Sequence, residues 1–68
     1  MNKVLLEYEM KRRGITAKQM ADYLGIDRST FSKKCNGVSE FKQSEIQKML
    51  ELMDIADPKP IFFAGEVS

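Results

Sequence analysis

TAKQMADYLGIDRSTFSKKCNG, residues 16–37, divides into two short helical units around a tight turn. Thr16-Ala17-Lys18-Gln19 reads as a capping box: the threonine oxygen accepts from the backbone three residues on, and the glutamine reaches back. Met20, Ala21 and Leu24 then fall on one helical face, and Gly25 ends the unit. Asp27 is expected to cap the second unit, Arg28 to Cys35, where its charge suits the positive helix end. Phe31 and Cys35 lie four apart on the inner face, and Asn36-Gly37 closes the helix with a turn. Ala21 must be small because the second unit crosses close to it. Gly25 permits the sharp turn, and Ile26 and Phe31 fill the angle between the units. What remains outside on the second unit is polar and cationic: Arg28, Ser29, Ser32 and Lys33.

Outward from this pair the pattern stays helical. Asn2 to Arg13 carries an apolar stripe (Val4, Leu5, Leu6, Tyr8, Met10), with Asn2 as a cap. Lys11, Arg12 and Arg13 occupy its last turn, and Gly14 stops it. From about Lys42 to Met53, the residues Ile46, Met49, Leu50 and Met53 follow the spacing of a core-facing helix. Asp57-Pro58 reads as an N-cap followed by proline at the first helical position, leading into Ile61-Phe62-Phe63. Glycines at 14, 25, 37 and 65 punctuate the chain, and no segment alternates like a strand. The expected architecture is all-α, four or five short helices in a single domain spanning residues 1–68.

Composition narrows the function. Residues 1–37 carry a net charge of +4 and residues 38–68 one of −3, so a polyanion partner suits the first half. The chain has no histidine and a single cysteine, Cys35, so neither imidazole base chemistry nor a Cys–His nucleophile is available. No Walker or dinucleotide glycine motif occurs, and the acidic residues are scattered along helices. No enzyme activity, cofactor, metal or small-molecule substrate is therefore expected. No apolar run approaches the length of a membrane span, the first residues are too charged for a signal peptide, and one cysteine cannot form an internal disulfide. The expected compartment is the cytoplasm. Cys35, on the Phe31 face, reads as a small buried hydrophobe rather than a redox switch.

The outer face of Arg28, Ser29, Ser32 and Lys33 suits a DNA major groove, where arginine and lysine reach guanine O6 and N7. The segment resembles the helix-turn-helix of lambda-type phage repressors and Cro proteins. Thr16, Ala21, Gly25, Phe31 and Asn36-Gly37 carry the resemblance, and the flanking helices extend it over roughly residues 2–63. The resemblance implies a transcription regulator of phage or prophage type that binds double-stranded DNA. Arg28, Ser29, Thr30, Ser32 and Lys33 would then stand at the bases, with Thr16, Ala17, Lys18, Asn36, Lys42 and Gln43 on the backbone. The neighbouring Lys34 is counted with Lys33 as a DNA-facing pair, while Arg12-Arg13 stand evenly between a helix-dipole and a phosphate role.

Two positions depart from the family pattern. Ala17 stands where many relatives have a contacting glutamine. Met10 and Cys35 stand where relatives pair an arginine with a glutamate, so an apolar contact is expected in its place. Ile61-Phe62-Phe63 is more apolar surface than a short tail easily buries. One or two of these residues are expected to cap the core, and Phe62 and Phe63 to supply a homodimer contact. The rival reading is a protein-interaction module, antirepressor- or antitoxin-like, on the same fold.

Overall fold

The computed structural model describes residues 1–63. They form five helices in chain order: α1 (Lys3–Arg12), α2 (Ala17–Leu24), α3 (Arg28–Cys35), α4 (Gln43–Met53) and α5 (Lys59–Phe62). No strand occurs among the described residues. Gly65 and the end of the expected domain lie outside them.

Helix starts follow local chemistry. The Asn2 side-chain oxygen accepts from the Leu5 N–H at 3.0 Å. Thr16 Oγ1 accepts from the Gln19 N–H at 3.1 Å while Gln19 Oε1 accepts from the Thr16 N–H at 2.8 Å, so the expected capping box is complete. Two starts differ from the sequence reading. Asp27 sits at the N-cap of α3 but its side chain makes no cap bond there, so its exposed carboxylate contributes charge only. Regular α5 begins one residue later than expected. Pro58 has helical dihedrals but precedes it, and Asp57 Oδ1 accepts from the Lys59 N–H at 3.0 Å.

Helices α1 to α4 all end in one arrangement. A residue just past each helix lies in the left-handed region: Gly25 and Asp54 directly after α2 and α4, and Gly14 and Gly37 one residue further on after α1 and α3. The next residue's N–H then bonds back five residues: Ile15 to Met10, Ile26 to Ala21, Val38 to Lys33 and Ile55 to Leu50. This is the Schellman motif. Its apolar residue is half-buried against the core at Ile15, Ile26 and Ile55, whereas Val38 is 73% exposed.

Leu6, Met20, Met49, Met53 and Ile61 are the largest fully buried side chains. Three of these five are methionines, whose flexible thioethers fill the irregular space between short crossing helices. Phe31, Phe41 and Phe62 form an edge-to-face ladder with centroid distances of 5.8 and 6.0 Å, joining α3, the α3–α4 connection and α5. The Asn2 N–H donates to the Ile61 carbonyl at 2.6 Å, which closes α5 onto the start of α1.

Gly25 sits at φ +74°, and a Cβ built there would meet no atom within 4 Å. Gly25→Ala is therefore predicted to incur only the left-handed backbone penalty, about 1–2 kcal/mol. In a chain of this size each kcal/mol lowers Tm by roughly 4–8 °C. Thermal unfolding followed by circular dichroism measures it, and an unshifted Tm would refute the strain.

Candidate nucleic-acid interface

The turn at Gly25 folds α3 back across α2. Ala21 is 1% exposed at the crossing, and Phe31 is buried while Ile26 is half-buried, as their roles in the angle require. With Phe31 turned inward, Arg28, Ser29, Ser32 and Lys33 are all exposed. Thr30 is half-buried on the flank of that face.

A groove of about 560 Å³ lies between α1, the start of α2 and α3. Thr16, Ala17, Arg28 and Ser32 line it together, so the N-terminal end of α2 and the outer face of α3 share one concavity. Lys3 and Lys11 of α1 line it as well, beside Glu7. Reading the sequence missed these two lysines as site residues. Their signal is three-dimensional, because only the fold sets α1 across the groove from α3. Lys18, Asn36, Lys42 and Gln43 are exposed but stand outside the groove. Lys18 Nζ lies 3.4 Å from Asp22, a fully exposed pair of little energetic consequence. The Asn36 side-chain oxygen accepts from Lys3 Nζ at 2.5 Å, which ties the end of α3 to α1.

Residues 6–57 match the helix-turn-helix family model HTH_3. The chain belongs to the lambda repressor/Cro-like helix-turn-helix family. No curated protein and no solved structure matches it. The family is one of DNA-binding regulators, and in this helix-turn-helix protein α2 and α3 form the motif itself. No described helix is long and apolar enough to cross a membrane. Among the described residues, no cluster of histidine, cysteine or acidic side chains could hold a metal ion.

Several side chains of the helix-turn-helix domain are placed differently from the sequence reading. Lys34 does not accompany Lys33 on the outer face. Its side chain is 9% exposed and its Nζ donates to Glu45 Oε1 at 2.6 Å and Oε2 at 2.7 Å. Arg12 and Arg13 both bind the Glu9 carboxylate. The Arg13 hydrogen bond is the main cause that holds this carboxyl below its ordinary value, with Arg12 adding to it against a smaller opposing effect of burial. Phe62 is buried and belongs to the core of one chain, so the part of this segment still partly open to solvent is Phe63. At the departures from the family pattern, Met10 is buried and Cys35 half-buried, and both line the groove floor. Burial pushes the Cys35 thiol up to about 11, so almost no thiolate exists at neutral pH.

Glu45 does two jobs. Besides taking Lys34, its Oε1 accepts from the Lys42 N–H at 2.7 Å and so caps α4. Burial alone would raise its pKa. The bonds from Lys34 and the Lys42 backbone, with both positive charges, outweigh burial and hold the carboxyl below its ordinary 4.5. Because the native value is the lower one, the stabilisation is complete above the ordinary value and is lost as pH falls through the native one. The Tm advantage of the parent chain over Glu45→Gln is thus predicted to be flat near neutrality and to shrink below about pH 4.5. Melting curves of both proteins from pH 7 to 3 check this. A difference independent of pH would show that the Glu45 charge contributes nothing.

Proposed function

We propose that this chain is a sequence-specific transcription regulator of the phage or prophage repressor/Cro kind. It acts by laying α3 in the major groove of an operator. The observation that carries the reading is the shared concavity of Thr16, Ala17, Arg28 and Ser32, flanked by the exposed Ser29 and Lys33. A helix N-terminus beside a cationic helix face matches the pairing of a backbone phosphate with base edges in the adjacent groove. Arg28, Ser29, Ser32 and Lys33 read bases, with Thr30 at the flank. Thr16, Ala17, Lys18, Asn36, Lys42 and Gln43 hold the backbone, and Lys3 and Lys11 add charge from α1.

The regulator works in the cytoplasm as a homodimer on a pseudo-palindrome, with half-sites about 34 Å apart. Phe63, on the same segment as the buried Phe62, supplies apolar surface for the subunit contact. The domain spans residues 1–68 and performs no catalysis. A second reading, a protein-interaction module on the same fold, draws support from the apolar floor that Leu6, Met10 and Phe31 give the groove.

Selection of bound sequences from a random DNA library separates the two. A two-fold motif with half-sites one turn apart is expected, and an absence of enrichment would favour the interaction module. Against the selected operator, Arg28→Ala is predicted to lose about 1–3 kcal/mol and to relax specificity, while Lys18→Ala weakens all sequences alike. Binding titrations on operator and random DNA measure both. Equal losses on the two DNAs for Arg28→Ala would remove it from base reading.

A further inference from the structure

α3 is only eight residues long, and Phe31 is its single buried residue. A helix of about two turns with a single fully buried side chain is weakly fixed against rotation about its own axis. Its far end is held less firmly, because Cys35 is only half-buried against the core and Val38 is 73% exposed where the other three Schellman ends pack an isoleucine.

A polar anchor stands there instead. Lys34 Nζ bonds both oxygens of Glu45, at 2.6 and 2.7 Å, and each side chain is 9% exposed. Glu45 is itself fixed by the Lys42 N–H at 2.7 Å. Lys34 Nζ also lies 6.0 Å from the centroid of the Phe41 ring, which packs edge-on against Phe31 and Phe62. Hydrophobic burial is non-directional. A charge-assisted pair of hydrogen bonds to a fixed carboxylate specifies a direction. It therefore constrains a rotation that Phe31, the half-buried Cys35 and the exposed Lys3–Asn36 bond fix only weakly.

We infer that the Lys34–Glu45 pair sets the rotation of α3 about its own axis, and thereby the presentation of Arg28 and Lys33 to DNA. For its DNA part the inference rests on the function proposed above. Lys34 and Glu45 are positioning residues and do not touch the nucleic acid.

The test replaces the pair by apolar side chains, Lys34→Met with Glu45→Leu, since such exchanges of buried ion pairs are often neutral or stabilising. Lys34→Arg preserves the pair as a control. If the double variant does not fold by circular dichroism, Glu45→Gln takes its place in every measurement. Two readouts are needed. Without DNA, NMR residual dipolar couplings report the orientation of α3 against α2 and α4. The variant is expected to show α3 reoriented or averaged, with α2 and α4 unchanged relative to each other. An α3 orientation identical to that of the parent would overturn the inference.

With DNA, the ratio of operator to random-sequence affinity is expected to fall about tenfold in the variant and to stay within about twofold in Lys34→Arg, with the salt slope unchanged. A parallel loss on both DNAs with a salt slope smaller by about one would make Lys34 a phosphate contact and overturn the inference. An unchanged ratio would do the same. A parent chain that prefers no sequence would refute the proposed function alone, and the dipolar couplings would then decide the rotation.

Discussion

The burial of Phe31 is the constraint on which the rest depends. An isolated helix of eight residues does not form in water, because nucleation costs more than so few hydrogen bonds return. α3 exists because Phe31, 4% exposed, is sequestered in the angle beneath α2. That burial also decides which side chains face out. Helical geometry then turns Ser29 and Lys33 to the side opposite Phe31 and sets Arg28 and Ser32 on its flanks, so the outer chemistry is set by the inner contact. The edge-to-face ladder through Phe41 to Phe62 then makes α5 and the α3–α4 connection part of the same support.

Small size imposes the second constraint. Five helices within 63 described residues leave little chain for connections. The four Schellman endings meet this limit by reversing direction within a few residues while satisfying free carbonyls. Three of them also return an isoleucine to the core, so the turns add apolar burial that a domain of this size otherwise lacks. The fourth, at Gly37-Val38, returns nothing apolar, and it lies where the Lys34–Glu45 pair supplies a polar tie.

The helices were legible in the sequence because their signals are local. Glycine stops at 14, 25 and 37, the Thr16–Gln19 box and the spacing of Ile46, Met49, Leu50 and Met53 each act within a few residues. What stayed hidden needs distant partners or fine geometry. Asp54 ends α4 in the left-handed region, which aspartate tolerates but does not advertise as glycine does. Lys33 and Lys34 are indistinguishable by residue type, and the step of about 100° between them decides which one meets solvent. Glu45, eleven residues on, is the partner that makes the inward position tolerable for a cation.

Ion pairs within the protein also decide how much of its charge faces a polyanion. A net charge of +1 is a poor guide to a polyanion surface, since many cations are already neutralised within the protein. Arg12 and Arg13 share Glu9, Lys34 is held by Glu45, and Lys3 and Lys18 lie near Glu7 and Asp22. Among the described residues, Lys11, Arg28, Lys33, Lys42, Lys48 and Lys59 have no described carboxylate within ion-pair distance, and the first three belong to α1 or α3. Lys11 and Arg28 border the same groove, and Lys33 lies on the outer face of α3 beside it. At physiological ionic strength, charges farther apart than about 8 Å are screened. The local surplus on this face, and not the sum over the chain, is therefore what an approaching phosphate backbone encounters.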